Sequence, residues 1–206
     1  MALADLPAAW RKVPVLFGSH VRLEPMREAH VGGLRAALAG DELSRLWFTS
    51  VPTEEGAGRY VQAALEAQAD GRVLPFVAYN AQGDPVGSTR FYRLEPEVPT
   101  LCIGYTWYAP SVQRTGVNTE AKLLLLVHAF ETLGCISVVF ETSTENVRSR
   151  AAIARIGAKQ DGILRKHKRH ADGSPRDTVV FSIIDSEWPQ VKQSLQARLQ
   201  QHESMQ

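Results

Sequence analysis

The stretch Val112-Gln113-Arg114-Thr115-Gly116-Val117-Asn118-Thr119-Glu120-Ala121 follows an apolar, strand-like run and opens a strongly helical one. A Gly-bearing turn joined to a helix N-terminus gathers free backbone N–H groups under the positive end of the helix dipole. Both favour an anion such as phosphate. Arg114 adds a fixed positive charge at the mouth of the turn. The spaced Gly-Lys-Ser/Thr of a Walker A loop is absent, as is the G-x-G-x-x-G of a dinucleotide fingerprint. The pattern therefore points to a pyrophosphate cradle of another kind. An ordinary strand–turn–helix junction is the alternative.

Working outward, residues 98–108 read as a long strand and 119–133 as the clearest helix, stopped by Gly134; 136–142 read as a further strand. A β–α–β unit needs a crossover helix, so these two strands run parallel. Upstream, 21–25 alternate as a strand stopped by proline, and 27–39 form a helix with Leu34 and Leu38 on one face. Thr53, followed by Glu54 and Glu55, caps a second helix that carries Tyr60, Val61, Ala64 and Leu65 inward. Residues 75–79 and 85–94 form a hairpin through the turn cluster 80–84. Downstream, the pattern predicts a helix over 145–156 stopped by Gly157, strands at 163–165 and 178–184, and an amphipathic helix over 190–200. Residues 1–20, with Pro7 and Pro14, read as irregular chain lying over the surface.

The 206 residues fit one domain with extensions: 1–17 as an N-terminal extension, 18–188 as the domain, 189–206 as a C-terminal helix and tail. A net charge of +1 gives no global field for DNA or acidic lipid. Cys102 and Cys135 lack metal-ligand spacing and read as buried, reduced thiols. No apolar run approaches a membrane span, and the N-terminus lacks the pattern of a signal peptide. The expectation is a cytoplasmic protein that binds no membrane and no metal, as monomer or homodimer.

Four segments in order carry a resemblance. Ile103-Gly104-Tyr105-Thr106-Trp107 matches a strand before a cofactor loop, and Gln113-Arg114-Thr115-Gly116-Val117-Asn118 occupies the place of a Q/R-x-x-G-x-G/A loop. Asn146-Val147-Arg148-Ser149 matches an N-x-x-S motif opening the next helix, and Ile156-Gly157-Ala158 stands where Gly-Phe is usual. Over residues 18–188 the chain resembles the GNAT superfamily of acetyl-CoA-dependent N-acetyltransferases, closest to the branch of Rim-type ribosomal-protein N-terminal acetyltransferases. The resemblance implies an α+β GNAT fold: a mixed, mostly antiparallel sheet with helices on both faces and a splayed parallel strand pair forming the acetyl-CoA cleft. Asn118 departs from the loop pattern; Asn tolerates a left-handed backbone, so the turn can survive there. The run 164–170 lacks the carboxylate that part of the Rim branch carries.

The resemblance further implies cofactor contacts from Tyr105, Thr106, Trp107, Gln113, Arg114, Thr115, Gly116, Val117, Asn118, Thr119, Asn146 and Ser149. Ser149 would protonate the leaving thiolate. Apart from the resemblance, water chains to Glu141, His167 or His170 could serve as base. From the residues alone, Ser149 also reads as a surface hydroxyl, Asn146 as a helix cap, Glu120 as a complement to the helix dipole, and Trp47-Phe48 as core or lid. The expected reaction is direct acetyl transfer to a primary amine, most readily a protein N-terminal α-amine. A small-molecule amine acetyltransferase and a non-catalytic acyl-CoA-binding module are the alternatives.

Overall fold

A computed structural model describes residues 6–40 and 46–203; positions 1–5 of the expected extension and 204–206 of the expected tail lie outside the described residues. Helix α1 is Ala8–Arg11, α2 Val31–Leu38, α3 Ala57–Ala69, α4 Gly116–Val127, α5 Val147–Arg155 and α6 Trp188–Glu203. The strands are β1 Leu16–Phe17, β2 Arg22–Pro25, β3 Val73–Tyr79, β4 Pro85–Glu95, β5 Thr100–Tyr108, β6 Ser137–Ser143, β7 Lys159–Arg169 and β8 Pro175–Ile184. They form one open sheet in the order β1-β2-β3-β4-β5-β6-β8-β7. Only β5 and β6, joined through α4, run parallel. Every other neighbouring pair is antiparallel, so the expected mixed sheet is found.

Each face of the sheet is covered by helices that bury an apolar stripe. One cluster joins Phe76, Phe91, Leu101, Ile103, Val138 and Phe140 of the sheet to Ala121, Leu125 and Leu126 of α4 and Val191 and Leu195 of α6. The other joins Val77 and Trp107 to Leu34 and Leu38 of α2 and to Ala57, Val61 and Ala64 of α3. Gly134 (φ +67°) and Gly157 (φ +99°) end their helical stretches with a left-handed backbone that a side chain would oppose.

Two expectations are corrected. The N-terminal residues do not lie over the surface: Leu6, Trp10 and Val13 are buried in the main core, and β1 pairs with β2. Apolar side chains at that spacing bury themselves even where prolines break regular structure. Glu120, read as a dipole complement, is also an inner anchor for this segment. Its buried carboxylate accepts the backbone N–H groups of Ser19, His20 and Val21 at 2.8, 2.6 and 2.8 Å.

β5 and β6 pair only at Thr100–Cys102 with Ser137–Val139. Beyond that register β5 runs on to Tyr108 and β6 to Ser143 without a ladder between them. A bulge in β5 accompanies the parting. Register against β4 jumps from Gly104↔Arg90 to Trp107↔Ser88, so Tyr105 and Thr106 oppose Thr89 alone, and Tyr105 takes φ +52°. An extra residue bends a strand and re-aims its side chains.

Candidate active site

The opening between β5 and β6 meets the N-terminus of α4. That helix begins at Gly116, three residues earlier than the sequence pattern predicts. Thr115 is the N-cap, and its hydroxyl accepts from Val117 N–H at 3.3 Å. Gly116, Val117, Asn118 and Thr119 therefore form the first helical turn. The left-handed residue is Arg114, at φ +65°, and not Asn118. Asn118 thus needs no special backbone freedom, and its departure from the loop pattern costs the turn nothing.

A cavity of about 560 Å³ opens here, lined by Arg114, Thr115, Asn118, Thr119, Arg155, Arg198 and Gln201. The first turn of α4 lines it together with arginines from the loop, from the end of α5 and from α6. Anions of high charge density suit such a site. Arg155 and Arg198 carry no sequence signal of their own; they are distant from Arg114 in the chain, and Arg198 is brought to it by packing of α6 against α4.

The other named residues have their own settings. Gln113 uses its side chain structurally, donating to the Tyr108 carbonyl at 3.1 Å and accepting from Arg148 at 3.1 Å. Asn146 caps α5, its Oδ1 accepting Ser149 N–H at 3.0 Å. Ser149 is half-buried. Among the aromatic residues of β5, Trp107 and Tyr108 are core, whereas Tyr105 is 43% exposed. Tyr105 shares an edge contact with Tyr92, ring centroids 5.4 Å apart. Trp47 is exposed, and its ring lies 4.6 Å from that of His170, so the segment before α3 reaches the β7–β8 turn across the sheet.

Thr106 is tied from beneath. Its hydroxyl lies 2.8 Å from that of Thr89 and accepts from Lys122 Nζ at 2.8 Å. Burial disfavours the ammonium form of Lys122 and pushes its pKa down to about 7. Lys122 was not anticipated, because it lies in a long leucine run that reads simply as a helix.

Glu141 is not a free base. Its side chain is 2% exposed; it pairs with Arg93 and, at 2.6 Å, with Lys168. Burial alone would raise its pKa, but the Lys168 hydrogen bond and the charges of Lys168, Arg93 and His167 outweigh it and lower the carboxyl pKa. His167 lies beside this network on β7, with Nδ1 buried and unpartnered. The expected base candidates are thus built into an ion-pair cluster at the end of β6 and into β7. The local pattern does not show this, because Lys168 on β7 reaches Glu141 on β6 across the intervening β8, past an irregularity in β7 between Leu164 and Lys168.

Cys102 and Cys135 are both buried and free, and burial raises their pKa values to about 11 and about 12. Among the described residues no group of His, Cys, Asp and Glu side chains converges as a metal site would, and no helix is long and apolar enough to cross a membrane.

The model of the acetyltransferase (GNAT) domain matches residues 20–159, the segment that contains the bulge, the α4 N-terminus and the Asn146–Ser149 turn. The chain belongs to the GNAT family of N-acetyltransferases. Solved GNAT structures have the same architecture. A GCN5-related N-acetyltransferase from Brucella melitensis is 31% identical, with a TM-score of 0.82 over 91% of this chain and 86% of that one. RimJ of Mycobacterium smegmatis, in complex with CoA-disulfide, is 23% identical, with a TM-score of 0.75 over 92% and 96% of the two chains. RimL, a ribosomal L7/L12 alpha-N-protein acetyltransferase solved with coenzyme A, is 18% identical, with a TM-score of 0.70 over 84% and 99%. At those last two identities the likeness is one of fold. GNAT enzymes use acetyl-CoA.

Proposed function

We propose that this GNAT protein transfers acetyl from acetyl-CoA to the α-amine of a protein N-terminus. The observation that carries the acceptor class is the commitment of Glu141 to Arg93 and Lys168. A site whose nearby carboxylate is held ionised by two cations is a weak proton acceptor, so it favours an amine that arrives largely neutral. An α-amino group has a pKa of about 7.7–8.0 and a lysine about 10.4. Near pH 7.5 a sizeable fraction of α-amines is neutral, against roughly one lysine in a thousand. That gap is worth about 3–4 kcal/mol. The names of RimJ and RimL agree with this class of acceptor.

In this reading the Arg114–Thr119 N–H groups, with Arg114, Arg155 and Arg198, hold the phosphates. Backbone groups from Tyr105 to Trp107 hold the pantetheine arm, and Asn146 bonds an amide of it. Acetyl-CoA supplies an acetyl group activated as a thioester. Ser149 donates a proton to the departing thiolate, and positioning by the parted strands supplies most of the rate. Glu141 and His167 serve structure, and the amine proton leaves to solvent. Residues 18–188 form the catalytic unit, with α6 contributing Arg198 from the C-terminal segment.

Incubating the protein with acetyl-CoA and a peptide panel, read by mass spectrometry, tests this. Acetylation confined to peptide α-amines is expected. Turnover of free polyamines, antibiotics or amino sugars with no peptide modified would overturn it.

A further inference from the structure

Arg90 sits on β4 with 6% of its surface exposed. Its guanidinium is sandwiched, with the central carbon 4.4 Å from the Tyr60 ring centroid and 4.6 Å from that of Tyr105. Two aromatic faces stabilise the cation without using its hydrogen-bond donors, which lie in the guanidinium plane. Those donors are nearly idle. Nη2 reaches the Tyr60 carbonyl only at 3.5 Å, the outer limit of a hydrogen bond, and Nε is buried without a partner. Among the described residues no carboxylate pairs with Arg90. Buried charges are ordinarily paired, and a guanidinium edge fits a carboxylate through two parallel bonds.

The position is beside the cleft. Arg90 opposes Gly104, next to the bulge, and stacks under Tyr105, whose ring is exposed. Tyr60 closes the other side, its hydroxyl bonded to Ser88 Oγ at 3.1 Å. Charge on this face is also unbalanced. Register puts Arg90 and Tyr92 on the same face as Cys102, Val139 and Glu141. Register places Glu24 there as well, but Arg22 pairs with it at 2.7 Å, and Glu141 is occupied by Arg93 and Lys168.

We propose that Arg90 receives a carboxylate of the acetyl acceptor, so that this protein selects anionic amines. The carboxylate belongs either to an acidic side chain just behind a peptide's N-terminal amine or to the α-carboxyl of a free amino acid. The inference rests on the acetyltransferase reading, with the amine in the cleft beside Tyr105.

Calorimetric titration in the presence of CoA tests it with two pairs of probes: peptides carrying Asp or Asn at the second position, and serine against serinamide. The carboxylate member of one pair should bind at least tenfold tighter, and the pair that discriminates identifies the source. Arg90→Gln should reduce that preference to within twofold while CoA affinity is retained. Equal binding within both pairs in the wild-type protein would overturn the proposal, whether or not the variant folds. So would a preference that survives in Arg90→Gln. Acetylation of the same probes separates the two readings. Selective binding without acetyl transfer overturns the transferase reading and leaves the carboxylate site standing. Transfer to both members of each pair with equal kcat/KM overturns the carboxylate site and leaves the transferase standing.

Discussion

Lys122 Nζ donates a hydrogen bond to Thr106 Oγ1 at 2.8 Å from inside the protein, binding the helix that opens at the arginine-lined cavity to the bulged strand beside it. The residue is costly where it lies, because a buried ammonium loses its hydration. Its pKa falls to about 7 from the ordinary 10.5. Between those values the unfolded chain holds a proton that the folded chain has released, so stability increases with pH across that window. Below pH 7 both states are protonated and the full penalty applies. Lys122→Met should therefore raise the melting temperature at pH 6 by several degrees and at pH 10 by little. Thermal melts at the two pH values check this; an equal or larger gain at pH 10 would contradict it.

Gly18 and Glu120 are matched in a similar way. A Cβ at Gly18 would stand 2.3 Å from the Glu120 carboxyl carbon, which three backbone N–H groups hold in place. Gly18→Ala should cost about 1–3 kcal/mol. Glu120→Gln turns one acceptor into a donor facing N–H groups and should cost about 2–3 kcal/mol. Urea unfolding gives both values.

Two arginines of the cavity predict losses of affinity under the proposed function. Arg155→Ala and Arg198→Ala should each weaken acetyl-CoA binding about 5- to 20-fold, on the order of 1–2 kcal/mol for a charge-assisted contact. Each loss should shrink as salt rises, because ions screen partly exposed charges. Calorimetry at low and high ionic strength separates this from unfolding.

The proposed function adds a second task to the helix cap at Asn146, and the two can be separated. Its Oδ1 caps α5, and Asp caps as well as Asn. Asn146→Asp should keep the melting temperature while removing the amide donors and lowering acetyl-CoA affinity at least tenfold. Asn146→Ala should lose affinity and, in addition, about 1 kcal/mol of stability.

Glu141 bears on acid stability. Its carboxyl pKa is lowered in the fold, against the upward push of burial, by Lys168, Arg93 and His167. Its contribution is therefore present above the ordinary glutamate range and lost as pH falls through the lowered folded value. Glu141→Gln should cost about 1–3 kcal/mol at pH 7, below the usual figure for a broken buried pair because Arg93 and Lys168 are partly exposed. The difference from wild type should vanish under acid conditions. Denaturant melts between pH 3 and pH 7 follow it.

Most elements were legible because their causes are local. Gly134 and Gly157 mark helix ends whose left-handed backbones suit glycine, and a single crossover helix forces β5 and β6 parallel. The start of α4 lies one turn before the expected position, since Thr115 as the cap is a weaker signal than the polar run behind it. Leu6 and Trp10 were read as surface because prolines obscure periodicity, yet burial needs only apolar area.

By itself the sequence determined the order of strands and helices from β2 onward, the presence of a helix after the Arg114 turn, and the cap at Asn146. Each depends on residues within a few positions of one another. Only the tertiary structure decided that Arg155 and Arg198 share the cavity with Arg114, that Glu141 is paired with Arg93 and Lys168, and that Arg90 lies stacked between two tyrosines. Charges act over a few ångströms of space, and which distant residues come that close is fixed by sheet order and helix packing, not by spacing along the chain.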